Sequence, residues 1–118
     1  MKVLHRSARV RATRRGRAFE IGAADLSEML ERQRYRCAVT GLKFIEARRD
    51  GQYWRHPYAP SLDRINSAGG YVLGNVRLVV AAANIAMGEW GEAVFYRIAE
   101  AALAHRLTHR PTDTFRDT

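Results

Sequence analysis

A chain of 118 residues and 13.4 kDa is the size of one compact domain, and a hydrophobic share of 47% supplies a modest core and argues against global disorder. A single cysteine, Cys37, excludes an intrachain disulfide and a cysteine-built structural zinc site, and the longest apolar run, "VRLVVAAANIAM", is broken by Arg77 and Asn84 well short of the ~20 residues that span a bilayer. The net charge of +8 points to a polyanionic partner, because neutralised phosphates release their condensed counterions, and no membrane partner is expected.

Seven of the eight units of excess charge fall in residues 1–18, where Lys2, Arg6, Arg9, Arg11, Arg14, Arg15 and Arg17 stand without an acidic residue. The segment reads as a basic N-terminal arm ahead of a single domain over 19–110 and a polar tail over 111–118. Arg9, Arg11, Arg14, Arg15 and Arg17 are its candidate phosphate contacts; a solvated charged terminus is the plainer alternative. Eighteen arginines against two lysines suit bidentate phosphate binding, although a GC-rich genome gives the same ratio. Residues 1–18 lack the apolar stretch of a signal peptide, and a cytoplasmic location is expected.

Phe19 and Ile21 start a short strand or a docked segment. "AADLSEMLERQRYR" has helical spacing, with Asp25 as N-cap and Leu26, Met29 and Leu30 inward. "CAVTGLKF" reads as a tight turn or hairpin around Thr40 and Gly41. "EARRDGQYWRHPYAP" is a loop turning at Asp50 and Gly51, where Tyr53, Trp54 and Tyr58 alternate with Arg48, Arg49, Arg55 and His56. Such interleaving can stack and clamp a nucleic acid, and a loop packed over a small core has the same composition.

The stretch "PSLDRINSAGGYVLGNVRLV", residues 60–79, follows: a strand ending near Asp63, a loop with Gly69 and Gly70, "GN" at 74–75, and a strand over "VRLVV". A helix over "AAANIAMGEW" carries Asn84, with Ala81, Ala82, Ala83 and Ala86 as a small face against the hairpin. Gly88 and Gly91 break the chain before a second helix, "EAVFYRIAEAALAHRL", with Val94, Phe95, Ile98, Ala102 and Leu103 inward.

This order resembles the HNH group of the ββα-metal nucleases, in particular small phage and bacterial proteins with the pattern "PSLDRI…GY…GNVRLV…N". "RRGRAFEI", "RCAVTGLKF" and "NIAMGEWGE" resemble flanking segments of such proteins, so the likeness covers most of residues 9–96. It implies an α+β fold with a ββα-metal core between an N-terminal and a C-terminal helix. By resemblance Asp63 is the first metal ligand, Asn84 the last, where many members have histidine, and Asn75 the structural residue of the motif. Oxygen donors of this kind suit a hard ion, Mg2+ or Mn2+, that polarises a phosphodiester. Read alone, Asn75 is a turn residue and Asp63 an ion-pair partner for Arg64 or Arg77.

The family's general base, a histidine after the first ligand, is replaced by Arg64, which stays protonated and is better suited to clamp phosphate. In the related "DRGH" pattern the base falls on Asn66, which is no base either. His56 is the nearest histidine and the remaining candidate, although seven residues of straight strand would set it roughly 20 Å from Asp63. His5, in the arm, and His105 and His109, late in the last helix or beyond, are surface histidines. Arg55 and Arg77 complete the expected nucleic-acid contacts. The first reading is a metal-dependent endonuclease acting on nucleic acid, DNA ahead of RNA. The alternatives are a degenerate HNH fold that binds nucleic acid without cutting it, and a small, phage-type regulator that uses its basic face against an acidic protein.

Overall fold

The computed structural model of the protein describes residues 2–45 and 56–109. The turn at Asp50 and Gly51, the residues Arg48, Arg49, Tyr53, Trp54 and Arg55, and the tail over 111–118 lie outside the described residues. The described chain is mixed α+β, with four helices and one two-stranded antiparallel sheet. None of these helices is long and apolar enough to cross a membrane.

The segment expected to be a basic arm is instead largely a helix, α1 (Lys2–Arg14), and it is docked. Leu4, Ala8 and Ala12 recur every four residues and so share one face; Ala8 and Ala12 are fully buried, and Leu4 packs against the same core. The small side chains let the backbone approach closely, while Lys2, Arg6, Arg9 and Arg14 stay exposed. His5 lies within this docked helix, its Nε2 bonded to the carbonyl of Ile21 and its ring edge-on to Phe19 at 5.1 Å between centroids.

Gly16, at φ +64, turns the chain out of α1. The next segment docks beside Tyr71: Phe19 and Tyr71 form a parallel bridge, Tyr71 N–H donates to Ala18 O at 2.8 Å, and Glu20 N–H donates to Tyr71 O at 2.8 Å. Gly70 is required by this approach, because a Cβ there would lie 2.9 Å from both the Ala18 Cβ and its carbonyl oxygen. Gly70→Ala is therefore expected to cost about 2 kcal/mol, the scale of overpacking a tight contact, read as a fall of several degrees in Tm. An unchanged Tm would show that the two segments separate freely.

Helix α2 (Ala23–Arg32) buries Leu26 and Met29. Its N-cap is Gly22 and not Asp25, which sits one turn in, where its carboxylate accepts from Gly22 N–H at 2.8 Å and meets the helix dipole. After α2, Arg34 and Tyr35 adopt positive φ (56° and 61°), and the chain reverses into the expected turn at 36–44, closed by an Arg36–Lys43 bridge. Gln33 extends its amide sideways: Nε2 donates to Leu78 O at 2.9 Å and Oε1 accepts from Leu78 N–H at 3.0 Å.

Strands β1 (Pro60–Arg64) and β2 (Val76–Val80) pair antiparallel, with Leu62 opposite Leu78 and Asp63 opposite Arg77. Helix α3 (Ala81–Met87) follows β2 without a loop. The period of two divides the hairpin: Ser61, Asp63, Arg77 and Val79 share one face, and Leu62, Arg64, Val76, Leu78 and Val80 the other. The first face meets α3, since Asn84 bonds Ser61 and Arg77 reaches the Met87 sulfur. Of the four alanines expected against the hairpin, Ala83 is buried and Ala81 half-buried; Ala82 and Ala86 are exposed.

Gly88 and Gly91, both at positive φ, lead into α4 (Glu92–Thr108). The inward face expected for this helix is not covered: only Phe95 is half-buried, and Val94, Ile98, Ala102 and Leu103 are exposed.

Candidate functional site

Asp63 is the one buried charged residue among those described. Strand alternation turns it toward α3, where its Oδ2 accepts from Arg77 Nε at 2.8 Å. Arg77 also donates from Nη1 to Glu92 at the start of α4, at 2.6 Å, so one guanidinium joins β1, β2 and α4. Burial works against the Arg77 charge, but the hydrogen bonds to Glu92 and Asp63, with their charges, outweigh it and hold its pKa above the ordinary value. The guanidinium is a permanent counter-ion to Asp63.

Asn84 faces the same layer from the first turn of α3. Its Nδ2 donates to Ser61 Oγ at 2.7 Å and to Leu62 O at 3.2 Å, which commits the amide nitrogen to β1 and leaves the oxygen as the acceptor end. Asn84 thus bonds, through Ser61, the hairpin face that also carries Asp63. The donor set is one carboxylate and one amide, both hard oxygens; no three His, Cys, Asp or Glu side chains gather among the described residues. It fits a Mg2+ or Mn2+ ion that keeps most of its coordination for phosphate and water.

Asn75 fastens the loop between the strands. Its Oδ1 accepts from Asn66 N–H at 2.9 Å, and its Nδ2 donates to Asn66 O at 3.2 Å and to Gly70 O at 2.9 Å. A Cβ on Gly69 would lie 2.7 Å from that Nδ2, so glycine is needed beside it. Asn66, which the alternative motif register puts in the base position, instead accepts from Ala68 N–H and shapes the same loop.

Arg64 is not beside the Asp63 carboxylate. As the next residue of a strand it points to the opposite face, where Nη1 donates to Ser67 O and Gly69 O and the guanidinium lies 5.3 Å from the centre of the Tyr71 ring. In these contacts it holds the loop.

His56 is not in contact with Asp63 or Asn84 either. It begins a turn that docks on the start of α3, through Ala82 N–H to Pro57 O at 3.0 Å and Ala81 N–H to Ala59 O at 2.8 Å. Tyr58 N–H donates to His56 Nδ1 at 3.1 Å, so the neutral ring carries its proton on Nε2, the wrong tautomer for that nitrogen to accept one.

Of the basic residues, Arg17 Nη1 donates to Ala68 O at 2.8 Å while its Nε is buried without a partner among the described residues, so it ties the segment after α1 to the loop. Arg11 is half-buried; Arg9 and Arg14 stay on the outer face of α1, where they line a shallow groove with Arg6, Val10 and Thr13, and Arg15 is exposed just beyond the helix. Sequence reasoning missed Ser61, Glu92 and Gln33. Ser61 was signalled by lying two residues before Asp63 on the same strand face; nothing local marks the pairing of Arg77 with Glu92.

Cys37 is buried at the 36–44 turn, with Thr40 N–H pointing to its sulfur at 3.4 Å. Burial pushes the thiol up, but hydrogen bonds from Thr40 and from the backbone of Val80, Thr40 and Val39 outweigh it and leave the pKa below the ordinary value. Comparison of the chain with family models, curated proteins and solved structures returns no match.

Proposed function

We propose that the protein is an HNH-like, metal-dependent phosphodiesterase acting on nucleic acid, with β1, β2 and α3 as its ββα core. What supports this reading is that Asp63 lies on the hairpin face toward α3, to which Asn84 of α3 is bonded through Ser61, with Asn84 oriented by Ser61 and Leu62. The bound divalent ion would supply positive charge to the scissile phosphate and to the departing oxygen. Asp63 and Asn84 would hold it; Arg77 would leave Asp63 its second carboxylate oxygen while staying neutralised by Glu92. Asn75, Arg64 and Arg17 keep the hairpin loop rigid, so the donors do not depend on a flexible loop for their positions.

No described side chain bonded to Asp63 or Asn84 can take a proton from water, the partners there being Arg77 and Ser61. A positioned base contributes roughly 10²- to 10⁴-fold, so slow turnover is expected. Nicking of supercoiled plasmid by the purified protein with Mn2+, lost on adding chelator, supports the reading; absence of nicking at every metal concentration rejects it. The Asp63–Arg77 pair favours a second reading, a fold of the same kind that binds nucleic acid without cutting it, and chelator-insensitive binding without nicking would establish that one.

Binding has its own signature. The exposed Lys2, Arg6, Arg9 and Arg14 of α1 can neutralise roughly four phosphates, so the slope of log affinity against log salt is expected near about −3.5 on duplex DNA. Arg6→Ala with Arg9→Ala should reduce that slope by roughly 2 in fluorescence anisotropy titrations. A slope unchanged by the double substitution would remove α1 from the interface.

A further inference from the structure

Helix α4 ends in two histidines one turn apart, His105 and the C-cap residue His109. Their rings stack with centroids 4.3 Å apart and planes inclined by only 11°. His109 N–H donates to His105 O at 2.8 Å, so the last turn stays wound and keeps both rings on one side. Both side chains are exposed, which leaves the space beside the rings open to small solutes.

Thr108 fixes the state of one ring. Its Oγ lies 3.2 Å from Ala104 O, 3.2 Å from His105 O and 2.7 Å from His109 Nδ1. A hydroxyl has a single proton and carbonyls only accept, so all three contacts are satisfied only when Nδ1–H donates to the Thr108 oxygen. The lone pair of the neutral His109 ring is then on Nε2, the nitrogen that Thr108 does not occupy.

We propose that His105 and His109 form a binding site for a borderline divalent transition-metal ion of the Zn2+, Ni2+, Cu2+ class. Two imidazoles at i and i+4 on one helix face are the ligand pair of helix-borne zinc sites, and an Nδ1–H donated to a neighbouring oxygen is how a ligating histidine is ordinarily held. An ion about 2.0 to 2.1 Å from each nitrogen needs the two nitrogens roughly 3 Å apart, and a tilt of two parallel, exposed rings reaches that with no packing to resist it. The free carbonyls of the last turn give this end of α4 a partial negative charge, which favours a cation. Among the described residues no third His, Cys, Asp or Glu joins the pair, so water completes the coordination and the ion exchanges readily. Arg106 stands where helical zinc hydrolases carry a glutamate base, so the pair binds an ion without a base beside it. Nitrogen ligands separate this site from the oxygens of Asp63 and Asn84, and the proposal does not rest on the reading of those residues.

Calorimetric titration of the whole chain with Zn2+ near neutral pH is expected to show one ion per chain, undisturbed by excess Mg2+. His105→Ala and His109→Ala should each abolish that binding, with Tm unchanged because both positions are exposed at a helix end. Thr108→Val should weaken it about tenfold, as loss of the group that holds a ligand does, and Thr108→Ser should restore it. Broadening of imidazole proton signals by Ni2+ should reach His105 and His109 before His5 and His56. Absence of Zn2+ binding, binding that survives both alanine substitutions, or earlier broadening of His5 or His56 overturns the proposal.

Discussion

Asp63→Asn is expected to lower metal-dependent nicking by roughly 10³-fold while the protein stays folded. The substitution keeps the size of the side chain and an oxygen for Arg77 Nε, so the β1–β2 contact survives and Arg77 retains Glu92. Lost is the negative charge that would hold the ion; charge stabilisation at a phosphate is worth several kcal/mol, and each ~1.4 kcal/mol is tenfold in rate. The cost in stability should be about 1 kcal/mol, the difference between a charged and a neutral acceptor. Plasmid nicking against time, with Tm measured on the same preparation, separates the two effects. Nicking at the parental rate by a folded Asp63→Asn protein would sink the metal-site reading, whatever the role of α1 in binding.

Asn75→Ala is expected to be the most damaging single change in the hairpin loop, at about 3 kcal/mol, with a Tm lower by roughly 10 °C. Three hydrogen bonds disappear together, and the orphaned groups, Asn66 N–H and the carbonyls of Asn66 and Gly70, lie in a loop too tight for Gly69 to carry a Cβ. Water can rescue the exposed bonds to Asn66 but has less access to the half-buried one to Gly70. Asn75→Asp should do no better: it keeps one acceptor and turns two donors into an anion facing two carbonyl oxygens. Thermal unfolding of both variants checks this, and a Tm within a degree of the parent for Asn75→Ala would mean that the loop holds its shape through Arg64 and Arg17 alone.

Much of the central layer was legible in the residues. Helix α2 is marked by Leu26, Met29 and Leu30 at helical spacing, and the hairpin by two short β-rich runs around a loop with paired glycines. Helix α1 was not, because its five Lys and Arg residues mask an apolar face made of Leu4, Ala8 and Ala12; the four-residue spacing was present but too small in volume to outweigh the charge pattern. The direction of Arg64 was legible, since a residue adjacent to Asp63 on a strand must point the other way. The exposed state of α4 was not legible: its periodicity gives a helix, and whether anything covers that helix depends on contacts outside its own sequence.

The amide of Gln33 has a consequence for how the protein behaves in company. A two-stranded sheet has two open edges, and an open edge is a template on which a strand from another molecule can grow. By giving Leu78 both a donor and an acceptor, Gln33 imitates one residue of a third strand and blunts the outer edge of β2 at its centre. Ala38 N–H, donating to the same Leu78 carbonyl at 3.0 Å, adds to the seal. Gln33 and Ala38 together thus leave less of the β2 edge open to pairing with a strand of another molecule.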